Sequence, residues 1–182
     1  MSKKIVLHAG CGKGDLDPVF NAGEWKEIRL DINPADRPDV VTSITEMTAF
    51  KNESVNAVYS SHNLEHLYAH EVLPVLKEFC RVLQTGGFVL VSLPDFKAII
   101  NEAVNRELDD VLYHSPAGPI TVMDCIWGYQ ADIARGNCYM AHKTGFTAKS
   151  LEEKLTAAGF RGVVIQHDYI NLMAVAFKRD CR

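Results

Sequence analysis

Three glycines at alternate positions, Gly10, Gly12 and Gly14, directly follow an apolar run at residues 4–8. Glycine has no Cβ and accepts positive φ, so a turn built from glycines lets the backbone approach a ligand closely. Asp31 ends the next predicted strand, about 20 residues further on, where a carboxylate can accept hydrogen bonds from ribose hydroxyls. The order of these features predicts a nucleotide-type pocket, with an ordinary tight turn and a turn aspartate as the alternatives.

A second chemical signal lies in residues 62–66, where His62, Glu65 and His66 have the spacing His-x-x-Glu-His. One class of zinc protease has the same spacing. Zinc chemistry of that kind needs the motif within a stable helix, a third ligand from another helix and an open position for water. Here the motif directly follows a predicted strand. We therefore predict no metal, and a structural or surface role for His66 and for the nearby His70.

Composition limits the classes of function. A chain of 182 residues with 47% hydrophobic and 23% charged residues predicts one globular domain over residues 1–182. The net charge of −4 provides no basic stripe, which disfavours a nucleic-acid partner and favours a small molecule. The N-terminal apolar run is too short for a signal peptide or a membrane span, so we expect a cytoplasmic protein with no membrane partner. The oligomeric state stays open.

The elements that must position these residues are short apolar runs alternating with helical patterns, which is typical of a parallel α/β fold. Strands are predicted at residues 4–8, 27–31, 40–42, 57–60 and 88–93, and helices at residues 70–83 and 147–158. Residues 162–166 and 171–177 predict the one antiparallel pair. Strands 2 and 3 are only eight residues apart, too few for a helical crossover, and residues 14–26 allow at most a short helix.

Residues 96–146 form a long connection, which we interpret as a substrate-lid insertion. Two helical patterns, at residues 97–112 and 123–134, flank a predicted loop at residues 114–119. Five side chains of this segment would form a partly aromatic pocket suited to a sugar or a small polar metabolite: Trp127, Tyr129, Gln130, Tyr139 and His142. Alternatively, Trp127 and Tyr129 form the core face of a helix.

Several of these stretches together resemble the class I S-adenosylmethionine-dependent methyltransferases, in particular the small type 11 members. The resemblance rests on VLHAGCGKG (6–14), RLDIN (29–33), SVNAVYSSHNLEHL (54–67), LKEFCRVLQTGGFVLVSLPD (76–95) and HKTGFTAKSLEEKLTAAGF (142–160). It implies a Rossmann-like, mostly parallel sheet with an antiparallel C-terminal strand and, here, trimmed N-terminal helices. It also implies S-adenosyl-L-methionine as the cofactor.

The resemblance assigns cofactor contacts by position. Gly10, Cys11 and Gly12 would lie under the methionine and ribose, Asp31 would hold the ribose hydroxyls, and Ile32 would lie against the adenine. Ser43, Ile44 and Thr45 would bracket the adenine, and Ser61 and His62 would reach the methionine end. Two positions depart from the family pattern: His8 and Ser43 each replace an acidic residue. We interpret His8 as a packed histidine, with a substitute hydrogen-bond donor as the alternative.

The implied reaction is an in-line displacement at a sulfonium methyl group, helped by a general base where the acceptor needs one. His62, Asp95 and His142 are the catalytic candidates; a capping aspartate and a loop histidine are the structural alternatives for the last two. No proline-aromatic pair follows strand 4, which disfavours exocyclic base methylation. Two other functions stay open: a scaffold without turnover, and a nicotinamide-dependent oxidoreductase, which Asp15 at the third glycine position disfavours.

Overall fold

The structure is a computed structural model that describes residues 2–20 and 23–179. Its main sheet has seven strands: β1 (Lys4–Ala9), β2 (Trp25–Asp31), β3 (Val40–Val41), β4 (Val55–Ser61), β5 (Leu83–Pro94), β8 (Phe160–Asp168) and β9 (Asn171–Lys178). The strand order is β3-β2-β1-β4-β5-β9-β8, and β9 alone runs antiparallel to its neighbours. This order confirms the predicted mostly parallel α/β sheet with an antiparallel C-terminal strand.

Helices cover one face of this sheet. The strands at its centre are continuous apolar runs, as strands buried on both faces must be. The helix α1 (Ala69–Val82) and the helix α5 (Ala148–Ala157) pack on them, with Phe79 and Leu151 fully buried in the main core. Within the described residues, no helix combines the length and the apolar character needed to cross a lipid bilayer.

The other face of the sheet carries an aromatic cluster in place of helices. Phe20 and Phe88 stack at 5.8 Å between ring centroids, and Trp25 packs edge-on against Phe20 at 5.1 Å. No helix lies between β1 and β2 in the part of the chain that the structure describes, and only a 3-10 turn at Pro34–Asp36 joins β2 to β3. The predicted trimming of the N-terminal helices is therefore confirmed for these residues.

The long connection differs from its prediction. It contains α2 (Phe96–Ala103), a hairpin of β6 (Val111–Ser115) and β7 (Gly118–Thr121), α3 (Val122–Trp127), α4 (Gln130–Ala134) and a 3-10 turn at Cys138–Met140. The helix predicted for residues 97–112 is wrong beyond Ala103, and the predicted loop at residues 114–119 belongs to the hairpin. The C-terminal pair is therefore not the one antiparallel feature. Ile120 packs with Ile99 in a small separate core, which stabilises the hairpin against α2.

Strand β5 begins earlier than predicted. It starts at Leu83 and includes Gly86 and Gly87, which we expected to end the connection before residue 88. The register with β4 shifts at this point, between Val55 and Ala57. A Cβ on Gly87 would lie 2.8 Å from the carbonyl oxygen of Asn56, so glycine allows the two backbones to pass closely here.

Candidate active site

The glycine turn after β1 has the conformation expected of a ligand-binding loop. Gly10 and Gly12 have φ values of +70° and +45°, in the left-handed region that favours glycine. A Cβ on Gly10 would overlap the side chain of Asn63, whereas a Cβ on Gly12 would meet nothing within 4 Å. The turn therefore packs tightly against Asn63 at Gly10 and is open at Gly12.

Asp31 at the end of β2 lies beside this turn. Its Oδ2 accepts a hydrogen bond from the backbone N–H of Gly12 at 2.7 Å, and its Oδ1 accepts one from the N–H of Asn33 at 2.8 Å. An ionised carboxylate has about four lone-pair sites, so two bonds leave capacity for a ligand's hydroxyl groups. The side chain is buried but lines a cavity, as a ribose-binding carboxylate should.

Arg29 is a structural support that the sequence analysis missed. Its Nη2 donates to the carbonyl oxygen of Gly12 at 2.8 Å, and its Nη1 donates to that of Gly14 at 2.9 Å. Glu27 contacts Arg29 at 3.0 Å and the ring of His8 at 2.8 Å. Burial lowers the pKa of His8, although Glu27 opposes the shift. His8 is thus a packed histidine of the network under the turn, as interpreted.

The first cavity has a volume of about 350 Å³ and lies over the glycine turn. Most of the predicted cofactor residues line it: Gly10, Gly12, Asp31, Ile32, Ser43, Ile44, Thr45 and His62. Cys11 and Ser61 do not. Cys11 is buried, which raises the pKa of its thiol to about 11, and the Ser61 hydroxyl bonds to that of Ser92 at 2.7 Å. The resemblance predicted that Cys11 and Ser61 contact the cofactor, but neither residue lines this cavity.

Several residues of the first cavity were not predicted. Asn63, Glu71 and Lys143 line it. The Lys143 ammonium lies 4.8 Å from the centre of the Tyr68 ring, and its backbone N–H donates to the Glu65 carbonyl at 2.8 Å. The signal for Lys143 was its place in the HKTGF stretch, directly after the candidate His142.

A second cavity of about 220 Å³ adjoins the first. Its lining includes His62, Glu65, His66, Ile99, Tyr113, Ile120, Asp124, Cys125, Tyr129, Met140, His142, Ile170 and Asn171. His62, His66 and Met140 line both cavities. The two cavities therefore meet at the segment between β4 and α1.

His62 lies at this junction in a strained conformation. Its φ is +47°, a value that a residue with a side chain rarely adopts, and its backbone N–H donates to the carbonyl of Ser92 at 2.8 Å. Its Nδ1 lies 3.4 Å from Oε1 of Glu65. The His62 side chain is half exposed; partial desolvation lowers its pKa, but the Glu65 carboxylate outweighs this effect and raises the pKa above its ordinary value.

The other two catalytic candidates occupy different environments. His142 lines the second cavity, and burial lowers the pKa of its imidazole. Asp95 lines neither cavity. It is the N-cap of α2, accepts from the N–H of Lys97 at 3.1 Å and contacts His167 at 3.1 Å. This geometry corresponds to the capping alternative for Asp95 and gives it no access to a bound substrate.

The predicted aromatic pocket is only partly assembled. Tyr129 and His142 line the second cavity, and Tyr139 lines the first. Trp127 and Gln130 line neither: Trp127 is half exposed, and the Gln130 amide donates to the carbonyl of Gly128 at 2.8 Å. Trp127 ends α3 and Gln130 begins α4, whereas Tyr139 and His142 lie beyond both helices, so the five side chains share no helix face.

Residues 7–91, which include the glycine turn, β2 and the junction segment, match the family model described as a methyltransferase domain. Over these residues the chain is similar to the methyltransferase domain family. The match confirms the resemblance to class I S-adenosylmethionine-dependent methyltransferases and, with it, S-adenosylmethionine as the cofactor. The open side of Gly12 and the remaining acceptor capacity of Asp31 fit that cofactor.

Solved structures share the fold at low sequence identity. A methyltransferase dependent on S-adenosylmethionine from Archaeoglobus fulgidus is 16% identical with a TM-score of 0.63, over 97% of this chain and 86% of that one. A 1,6-didemethyltoxoflavin-N1-methyltransferase from Burkholderia thailandensis is 16% identical with a TM-score of 0.61, over 98% and 72%. A protein from Bordetella parapertussis is 13% identical with a TM-score of 0.62, over 97% and 62%.

The chain thus spans less than two thirds of the Bordetella protein. No protein with a curated description matches the sequence.

Proposed function

We propose that this chain transfers the methyl group of S-adenosylmethionine to a small-molecule or sugar-type acceptor in the second cavity. The observation that carries the proposal is the junction of the two cavities at His62 and His66. A methyltransferase needs such a junction, because the acceptor atom must approach the methyl carbon in line with the bond that breaks.

The first cavity would hold the cofactor. Gly12 lets the backbone approach it, Asp31 accepts from the ribose hydroxyls, and Lys143 provides a cation for the carboxylate of the methionine part. When bound, S-adenosylmethionine supplies an electrophilic methyl group, whose carbon bonds to the acceptor as the sulfur–carbon bond breaks and leaves its electron pair on sulfur. Positioning of this kind can supply about 7–11 kcal/mol of the acceleration.

The second cavity suits a compact acceptor. Its lining is mostly apolar, with Ile99 and Ile120 among its side chains. Tyr113 and Asn171 add polar groups, whereas the Tyr129 hydroxyl donates to the carbonyl oxygen of Ala117 at 2.9 Å. Among the described residues, its lining contains no lysine or arginine, so nothing there would bind a chain of phosphates. Most of the lining comes from residues 96–146, which supports the interpretation of this segment as the substrate-binding part.

His62 is the favoured general base of the three candidates. It lies where the cavities meet, and the Glu65 carboxylate raises its pKa above the ordinary histidine value. A base is most effective when its pKa lies near the working pH. His142 lies on the acceptor side, and Asp95 has no access to either cavity.

Thermal unfolding with S-adenosylhomocysteine tests the cofactor site. At about 100 times the dissociation constant, the ligand should stabilise the wild type by about 2.7 kcal/mol, a shift of about 5–10 °C. Asp31→Ala should lose most of the shift, whereas Asp109→Ala, an exposed aspartate on the connection, should keep it. A shift with NAD in place of S-adenosylhomocysteine would contradict the proposal.

Turnover is measured separately, as S-adenosylhomocysteine formed with a panel of sugars and small hydroxyl or amino compounds. His62→Gln should lower kcat in this assay by a larger factor than it weakens S-adenosylhomocysteine binding, because His62 also lines the first cavity. Cofactor binding without turnover on any acceptor would instead favour the scaffold function.

A further inference from the structure

The strongest unexplained cluster in the molecule lies at the wall of the second cavity. Glu65, His66 and His142 each offer one ligand atom, and these atoms lie within 4.8 Å of one another. Two of the residues come from the turn between β4 and α1, and the third lies 76 positions beyond His66 in the chain. The fold therefore assembles a set that the local sequence pattern does not contain.

The carboxylate of Glu65 has no hydrogen-bond partner among the described residues. The side chain is 2% exposed, and His62 Nδ1 lies 3.4 Å from Oε1, an ion-pair contact that does not meet hydrogen-bond geometry. Leaving a buried carboxylate unsatisfied is costly, more so than for a neutral polar group. Such a group in an enzyme cavity points to a bound ligand of opposite charge.

Both histidines are oriented so that their outer nitrogen is available. The Nδ1 of His66 lies 3.2 Å from the carbonyl oxygen of Ala141, and the Nδ1 of His142 lies 3.2 Å from that of Cys125. A carbonyl can only accept, so each Nδ1 carries the proton and each Nε2 keeps a free lone pair. Metal-binding histidines are held in this way by a second hydrogen bond.

We propose that Glu65, His66 and His142 bind a divalent transition-metal ion of the zinc type, with an open coordination position toward the second cavity. Two imidazoles and one carboxylate with a vacant site form the ligand set of catalytic zinc. The bond lengths of about 2.0–2.2 Å in such sites require small side-chain rotations that draw the three atoms together. This proposal departs from the sequence-based expectation of no metal, which rested on the position of residues 62–66 directly after a strand.

The open position would also define the acceptor, and this step rests on the proposed function. A metal ion at the wall of the acceptor cavity binds an oxygen donor and lowers the pKa of a bound hydroxyl group. The acceptor class is therefore a hydroxyl compound that is methylated on oxygen. By position, His62 at the junction of the cavities would take the hydroxyl proton.

The test measures metal binding directly, on tag-free protein after treatment with a chelator. Titration calorimetry should show one Zn²⁺ per chain, with no binding of Mg²⁺, and one Co²⁺ per chain should give a visible absorption band. His142→Ala should weaken Zn²⁺ binding by more than about 100-fold, since outer ligand partners alone contribute about 10–100-fold. The matched control His114→Ala, an exposed histidine on the β6–β7 hairpin, should bind like the wild type.

Glu65→Gln provides a second variant that keeps the shape of the side chain and should also lose Zn²⁺ binding. Acetohydroxamate, a small oxygen donor, should shift the Co²⁺ band if a coordination position is open. Absence of stoichiometric Zn²⁺ binding by the wild type, or equal binding by His142→Ala and wild type, would overturn the site. An unchanged Co²⁺ band with acetohydroxamate would overturn the open position.

The same samples are tested for stabilisation by S-adenosylhomocysteine. Loss of Zn²⁺ binding with an unchanged shift separates the metal site from the cofactor site. Zn²⁺ binding without any shift would leave the metal site in place and contradict the proposed function.

Discussion

The carboxylate of Asp31 holds the backbone of Gly12: Oδ2 accepts the Gly12 N–H at 2.7 Å. Arg29, two residues earlier on the same strand, binds the carbonyl oxygen of Gly12 at 2.8 Å. Both polar groups of one peptide segment are therefore fixed by β2 before any ligand arrives. The glycine turn is pre-organised, and this lowers the entropy lost when a ligand binds.

Arg29→Met should loosen the turn without removing a ligand contact. We expect the dissociation constant for S-adenosylhomocysteine to rise about tenfold and the free energy of unfolding to fall by about 1.5–3 kcal/mol, the usual contribution of hydrogen bonds to a charged group. Calorimetry and chemical denaturation measure the two effects. Lys26→Met, an exposed position on the same strand, is the control and should change neither. Equal behaviour of the two variants would contradict the supporting role of Arg29.

Gly10→Ala should destabilise the fold more than a positive φ alone explains. Gly86 has a φ of +76°, close to the +70° of Gly10, but a Cβ there would meet nothing within 4 Å. Both alanine variants should lose about 1–2 kcal/mol from the left-handed conformation. Gly10→Ala should lose about 1–3 kcal/mol more, because its Cβ overlaps Asn63. Equal midpoints in chemical denaturation would show that Asn63 moves aside at little cost.

Gly128→Ala should disturb the placement of His142. A Cβ on Gly128 would overlap the carbonyl oxygen of Met140, and the neighbouring Trp127 carbonyl accepts the His142 N–H at 3.1 Å. We expect weaker Zn²⁺ binding, by about tenfold or more, of the size that a lost positioning contact causes. Gly136→Ala is the control, because Gly136 has a similar φ of +97° with nothing within 4 Å of an added Cβ. Wild-type Zn²⁺ affinity in Gly128→Ala would refute this dependence.

His8 should make the stability of the protein depend on pH. Burial lowers its pKa in the folded state, so the unfolded chain binds the proton more readily. The His8 contribution is therefore favourable at high pH and is lost as the pH falls below the ordinary histidine value of about 6.5. In denaturation series between pH 7.5 and pH 5, the free energy of unfolding should fall less for His8→Gln than for the wild type. For the control His114→Gln, an exposed position, it should fall as much as for the wild type. A steeper loss in His8→Gln would reverse the assigned sign.

The sequence predicted the elements that carry a strong local pattern. The glycine turn, the carboxylate at the end of β2 and the amphipathic α1 depend on residues close together in the chain, and all three are present. The early start of β5 was not predicted because a pair of glycines usually ends a strand. Here Gly86 and Gly87 lie within β5, where a shift in the register with β4 accommodates them. The β6–β7 hairpin was missed because residues 111–112 continue the helical spacing of residues 97–110, and the Ser-Pro-Ala-Gly-Pro stretch at residues 115–119 predicts a loop.

The second cavity could not be predicted because its residues meet only in three dimensions. The sequence places Glu65 shortly before a predicted helix. The neighbouring residues do not indicate that its carboxylate lacks a hydrogen-bond partner in the fold. His142 is placed near Glu65 by the close backbone contact between Gly128 and Met140 and by the hydrogen bond from the His142 N–H to the Trp127 carbonyl. The spacing of residues along the sequence does not predict such a contact. Sequence patterns predict the lining of the first cavity well and that of the second cavity poorly, because only the first is built from the ends of consecutive strands.

The two tryptophans of the chain divide its intrinsic fluorescence between distant regions. Trp25 belongs to the aromatic cluster on the helix-free face of the sheet, and Trp127 lies half exposed on α3, with its carbonyl bonded to the His142 N–H. In a Trp25→Phe variant, Trp127 would be the single tryptophan of the chain, and it adjoins His142, a ligand of the proposed metal site. Occupancy of the acceptor side could then be followed optically, without a label and independently of the cofactor.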